Sequence, residues 1–133
     1  MPKIFTSPTQ QIGKKGEKVA EKFLMKHGFK ILDRNYTKKW GEIDLVALKD
    51  KKLYFIEVKS VSRENLSGEI FDKYKPEDNM HQWKMQRMSR TIQTYLLDKK
   101  IEENIEWQVD LVVVFLDLKN KKARVKVVND IIL

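Results

Sequence analysis

GEIDLVALKDKKLYFIEVKS, residues 41–60, reads as two apolar strands around a lysine-rich turn. Each strand carries an acid in its middle, Asp44 and Glu57, and the second strand also carries Lys59. With a two-residue turn centred on Asp50–Lys51, antiparallel partners have numbers that sum to 101. Asp44 then falls opposite Glu57, and Glu42 opposite Lys59. Directly opposed residues have Cβ atoms about 4.5–5.5 Å apart. A slip of one residue would put the two acids on opposite faces.

Neither face of this hairpin is polar. Val46, Leu48, Leu53 and Phe55 share the face of the acids, and Ile43, Leu45, Ala47, Tyr54, Ile56 and Val58 line the other. A surface hairpin has one solvated face, so these strands are expected inside a sheet covered on both sides. There a carboxylate without a partner is costly, and two adjacent ones repel. A divalent cation resolves both problems, and oxygen-only ligands favour Mg²⁺ or Mn²⁺ over zinc. Lys59 lies two residues beyond Glu57 and so points to the same side. Its ammonium would orient or activate a water and stabilise negative charge in a transition state. The alternative is a structural ion network of Asp44, Glu57 and Lys59.

The rest of the chain narrows the classes. A length of 133 residues suits one domain with a real core. No cysteine is present, which excludes disulfides, thiolate nucleophiles and zinc–thiolate sites. The two histidines, His27 and His81, are far apart in sequence. The longest apolar run, Leu111 to Leu116, is far below the roughly 20 residues that span a bilayer. The N-terminal segment lacks the apolar middle of a signal peptide, and the expectation is a cytoplasmic protein with no membrane association. The net charge of +8 is uneven: residues 1–41 hold ten basic and three acidic residues, while residues 42–133 hold 17 and 16. Such a concentrated positive field favours polyanions, chiefly nucleic acid. Lys14, Lys15, Lys38 and Lys39 are the candidate phosphate contacts in that segment; a solvated lysine face is the bland alternative.

Along the chain, residues 1–11 read as a flexible arm and 12–133 as a single domain. Residues 13–28 predict a helix closed by Gly28, with Ile12, Gly16, Val19, Ala20, Phe23 and Leu24 on one face and Glu17 on the flank. Residues 29–36 predict a first strand. Residues 60–79 form a long polar segment in which Phe71 and Tyr74 alternate with Lys73 and Lys75, either a nucleic-acid contact or two aromatic anchors. A second helix is expected from about Met80 to Leu97, followed by strands in WQVDLVVVFLD and ARVKVV.

Asp44, a gap, then Glu57-Val58-Lys59 resembles the D…(D/E)XK signature of the restriction-endonuclease-like superfamily. GEKVAEKFLMKHGFKILDRNY, GEIDLVAL, FIEVKS, the helix with Lys84 and VDLVVV together resemble the YraN-like bacterial family, of the uncharacterised UPF class, from about Gly13 to Leu116. That family is similar to archaeal Holliday-junction resolvases. The resemblance implies an α/β fold with a central mixed sheet flanked by helices, an αβββαβ core. It also implies a magnesium-dependent phosphodiesterase acting on DNA, including branched DNA. Asp44, Glu57 and the Val58 carbonyl would be metal ligands, Lys59 the catalytic lysine, and Glu17 the helix glutamate that completes the site. Glu42 would support the metal ligands, or simply pair with Lys59. Lys84 would contact phosphate, or be a snorkelling surface lysine. Asp110 matches an aspartate of the family's late strand, without a mechanistic role. Resolvase similarity implies a homodimer, since paired nicks need two sites. The chain departs from the family pattern at Tyr36-Thr37-Lys38 and Ser60-Val61, where an arginine is usual, and at His81 and Gln108. The competing reading is a nucleic-acid-binding module of the same fold with little or no cleavage.

Overall fold

The computed structural model describes residues 8–62, 82–131 and 133. Among the described residues two helices, α1 (Pro8–Lys26) and α2 (Gln82–Asp98), flank one sheet of five strands. The strands are β1 (Lys30–Lys38), β2 (Gly41–Lys49), β3 (Lys52–Ser62), β4 (Glu106–Asp117) and β5 (Lys122–Val128), and they lie in that order across the sheet. Among the described strands only β3 and β4 run parallel. A parallel pair needs a crossover, and α2 lies in it. This is the α/β, restriction-endonuclease-like core that the sequence predicts. α1 starts at Pro8, inside the stretch read as an arm. The aromatic–basic stretch with Phe71, Lys73, Tyr74 and Lys75 lies outside the described residues, as does His81.

The sheet is buried on both faces, as the two-sided apolar pattern requires. On one side α1 covers Leu45, Ala47, Ile56, Val112 and Val114 with Ala20 and Leu24. On the other, α2 covers Val46, Leu53, Phe55, Val109 and Val113 with Met88, Ile92 and Tyr95. Burying each large apolar side chain contributes about 1.5–3 kcal/mol. From Val109 to Asp117 strand β4 has no exposed residue, which is why its sequence shows no alternation. Tyr95 also ties α2 to β1, its hydroxyl donating to Asp33 Oδ2 at 2.6 Å while its ring meets Phe55 edge-on.

One side assignment was wrong. Ile43, expected with Leu45 and Ala47, packs with Val46 on the α2 side. The β1–β2 pairing is interrupted at the same place. It runs from Arg34↔Leu45 to Tyr36↔Ile43, passing over Asn35 and Asp44. Asn35 has φ 51°, a left-handed conformation that Asn tolerates better than most residues. Ile43 and Leu45 thus pack on opposite sides of the sheet, and the alternation of β2 breaks at Asp44, whereas the ladder's register shift lies between Ile31 and Asp33.

Helices α1 and α2 each end in a Schellman motif, with 6→1 bonds from Phe29 N to Leu24 O and from Ile101 N to Leu96 O, each 3.0 Å. The left-handed residue is Gly28 in the first and Lys100, at φ 53°, in the second. A side chain in this conformation costs about 1–2 kcal/mol, partly offset by the lower backbone entropy loss of a non-glycine residue. Lys100→Gly is therefore expected to stabilise the protein by about 0.5–1 kcal/mol, raising the urea midpoint with an unchanged slope.

Candidate active site

The hairpin adopts the expected register from its turn as far as Leu45 and Ile56, and the expected pairs Asp44 with Glu57 and Glu42 with Lys59 are not part of the ladder. β2 and β3 pair as Lys49↔Lys52 through Leu45↔Ile56, and Asp50 and Lys51 form the turn with φ of 49° and 64°. Positive φ at both central residues marks a type I′ turn, whose twist matches the strands. The pairing stops one step before Asp44 and Glu57. There the side chain of Asp44 takes over, its Oδ2 accepting the Val58 N–H at 2.8 Å. An irregular strand thus leaves a backbone donor for a carboxylate at the point where β2 and β3 part.

Asp44 and Glu57 line a cleft of about 260 Å³ together with Gly41, Glu42, Lys84 and Arg87. α2 supplies the two basic residues and β2–β3 the three acids. The β1–β2 turn is held against α2 closely enough that a Cβ on Gly41 would stand 2.5 Å from Thr91 Oγ1. Arg87 Nε donates to the Trp40 carbonyl at 2.9 Å, and the Arg90 guanidinium lies 4.2 Å over the Trp40 ring.

The electrostatics bind Glu17 to this group. Burial pushes the Asp44 carboxyl up to about 8, and the charges of Glu57, Glu17 and Glu42 push the same way against the Val58 hydrogen bond. Glu17 is also raised, first by burial and then by Glu42, Glu21 and Glu57, while Lys14 lowers it. Four carboxylates from α1, β2 and β3 therefore share one negative field. One of them has a cationic partner: Lys84 Nζ lies 2.5 Å from Glu57 Oε1.

The other predicted residues lie as follows. Lys59 is exposed, on the Glu57 side of β3 but not in the cleft lining. Glu42 lines the cleft. Lys38 lies 5.1 Å over the Tyr36 ring, Lys39 is exposed at the β1–β2 turn, and Lys15 lines a different cleft beside α1. Asp110 has a structural task. It is buried, and its Oδ1 accepts from Gln108 Nε2 at 2.7 Å and from Asp130 N at 2.9 Å, tying the C-terminal segment to β4. Gln108, one of the departures from the family pattern, is thus one of its partners. Sequence reading missed Arg87, although its place three residues after Lys84 on α2 puts the two on one helix face.

Among the described residues no three Asp, Glu or His side chains converge as a ready metal-ligand set. What the chain offers is the Asp44 and Glu57 carboxylates and the Val58 backbone. In an extended strand the N–H and C=O of one residue point to the same side, so the Val58 carbonyl faces the Asp44 side. Mg²⁺ keeps several waters and takes one or two protein carboxylates. Two acids, a carbonyl and a field that strains to protonate Asp44 fit such an ion. No helix among the described residues is long and apolar enough to cross a membrane.

The description "Uncharacterised protein family UPF0102" matches residues 16–114. A UPF0102 protein of Campylobacter fetus is 37% identical over 100 residues, 75% of this chain and 80% of its own. A UPF0102 protein of Campylobacter lari is 38% identical over 105 residues, 79% and 84% of the two chains. One of Caldicellulosiruptor bescii is 29% identical over 121 residues, 91% and 96%. The matched segment holds Glu17, the hairpin and every described residue that lines the cleft. The chain belongs to this family, UPF0102, the YraN-like family that its motifs resemble.

Proposed function

We propose that the protein is a divalent-cation-dependent endonuclease that hydrolyses phosphodiester bonds in DNA, branched DNA included. The observation that carries this reading is the convergence of Asp44, Glu57, Glu17 and Glu42 in one field with Lys84 and Arg87 across the cleft. Acids alone would repel a phosphate, and bases alone would only bind one. Asp44, Glu57 and the Val58 carbonyl would hold Mg²⁺ or Mn²⁺, which when bound polarises a phosphoryl oxygen and acidifies a water.

The chain's own groups account for the rest. Water oxygen bonds to phosphorus, the bond to the leaving oxygen breaks, one proton leaves the water and one reaches the leaving oxygen. Glu17, with its affinity for protons raised, would carry a proton at the edge of the site. Lys59, exposed beside Glu57, would face the negative charge that grows on the phosphate. Lys84 and Arg87 would position the substrate through its phosphates, with Lys14, Lys38 and Lys39 adding to the positive field. The ion pair of Lys84 on Glu57 is what favours the second reading, a binding module of the same fold in which Glu57 is neutralised by lysine instead of metal.

Linear, single-stranded and four-way-junction DNA, each incubated with Mg²⁺, Mn²⁺ or EDTA, separates the readings. Cleavage is expected with metal, none with EDTA, and none by Glu57→Ala, whose DNA binding persists. Binding without cleavage under every metal condition would establish the module instead, and no binding at all would remove both.

A further inference from the structure

Helix α1 divides its charges between two flanks. Lys14 and Glu21 act on Glu17, and Glu21 Oε1 accepts from Arg34 Nε at 2.6 Å. Lys15 and Lys18 turn away: at about 100° per residue they lie roughly 160° and 100° round the helix from Glu17. Both line a second cleft, of about 330 Å³, with Leu116, Leu118, Lys121 and Lys122. Among the described residues none is common to this cleft and the carboxylate cleft. The four lysines come from the first helix and from the β4–β5 turn, about a hundred residues later in the chain.

The turn that presents Lys121 and Lys122 is fixed. Asp117, only 3% exposed, accepts from Asn120 N at 3.1 Å through Oδ1 and from Asn120 Nδ2 at 2.8 Å through Oδ2. Lys121 is left-handed at φ 53°, and Lys122 pairs with Asp117 at the start of β5. Asp117 also borders the cleft, and each of its oxygens accepts a bond from Asn120 within the turn. Among the described residues none of the four lysines is paired with an acid. Lysines around an apolar floor rest their stems on it and keep their ammonium groups in water. Four unpaired point charges on a helix and a pinned turn suit a row of phosphates, which lysine binds as a point charge.

We propose that this cleft is a second nucleic-acid site, which takes the phosphate backbone of a segment outside the carboxylate cleft. It rests on the nucleic-acid part of the proposed function and not on cleavage. The segment held there sets affinity, whereas the carboxylate cleft sets chemistry.

The test uses the full chain and two double variants, Lys15→Gln with Lys18→Gln and Lys121→Gln with Lys122→Gln. Lys99→Gln with Lys100→Gln, at the far end of α2, is the control. Binding to a 30-base-pair duplex is measured between 0.05 and 0.2 M salt. Each test pair is expected to reduce the slope of log K against log salt by about 2 and to weaken binding about 10- to 100-fold near 0.1 M salt. The control pair should change the slope by much less. If cleavage occurs, the test pairs raise KM and leave kcat unchanged. Test pairs whose slopes match the wild type overturn the proposal. So does a loss of binding to anionic phosphatidylserine vesicles that exceeds the loss for DNA. If no DNA is cleaved but the slopes change as stated, the second site stands and the nuclease reading falls. If the wild type binds no DNA, both fall.

Discussion

Asp44→Asn is expected to abolish cleavage and, at neutral pH, to make the protein harder to unfold. Loss of one of two acidic ligands should remove several kcal/mol of transition-state stabilisation, about 10³-fold or more in rate. The stability gain follows from the same charges. In the folded protein burial and the neighbouring acids hold the Asp44 carboxyl up at about 8, against an ordinary value of 3.8. Below about pH 4 it is protonated in both folded and unfolded chains, and its contribution to stability is fully present. Between about pH 4 and 8 the unfolded chain releases this proton while the folded one retains it, so stability falls as pH rises; above about 8 the loss is complete. Asparagine has no proton to release, and its Oδ1 still accepts the Val58 N–H. Unfolding in urea with EDTA should show the variant ahead by about 1–3 kcal/mol at pH 7, less than the bare shift implies because the carboxyl is partly open to water. The gap should close toward pH 4. Added Mg²⁺ should stabilise the wild type more than the variant, since only the intact pair of acids binds it well. A variant less stable than the wild type at pH 7 would mean that the acids form a structural network, the alternative raised by the hairpin's sequence.

The parts of this site that the sequence revealed are those governed by local periodicity. The pairing sum of 101 holds from Lys49↔Lys52 to Leu45↔Ile56 because the Asp50–Lys51 turn is two residues long, and a turn length fixes every pair that follows. The sum cannot tell where a ladder ends. Asp44 and Glu57 lie one step past the last pair, and there Asp44 bonds sideways to the Val58 amide while the β1–β2 pairing passes over Asn35 and Asp44. The break in alternation that turns Ile43 to the α2 side left no trace in the apolar pattern. Glu17 was recognised through its family position; its burial among Glu42, Glu57 and Asp44 comes from how α1 crosses the sheet, which periodicity does not encode. The pairing of Lys84 with Glu57 has the same origin, since α2 meets β3 across tertiary space. Lys121 and Lys122 were invisible as partners of Lys15 and Lys18, because only the sheet order brings the β4–β5 turn beside α1.

Gly16→Ala is expected to lower Tm by roughly 10 °C, although alanine is the better helix former. A Cβ at this position would stand 1.7 Å from Ser60 Oγ and 2.8 Å from Ser60 Cβ. Turning the hydroxyl away removes the first clash and leaves the second. Overpacking of this kind costs about 1–3 kcal/mol or more, against a gain of about 1 kcal/mol in helix propensity. The net loss, on the order of 2 kcal/mol, gives the Tm change. The contact can be tested from the other side. Ser60→Ala keeps the Cβ and should rescue Gly16→Ala only in part. Ser60→Gly leaves its Cα, at 3.7 Å, as the nearest atom and should rescue it further, despite the cost of a glycine in a strand. Additive effects in this double-mutant cycle would show that the two residues do not touch. The position matters for the site because Gly16 precedes Glu17 and Ser60 follows Lys59. The absent side chain on α1 sets how deeply the helix lies on β3, and so how strongly the Glu17 charge reaches Asp44. Lifting α1 should therefore lower the Asp44 carboxyl from about 8, read by NMR titration of its side-chain carbon in the Gly16→Ala protein. Restoring the depth with Ser60→Gly should bring it back up.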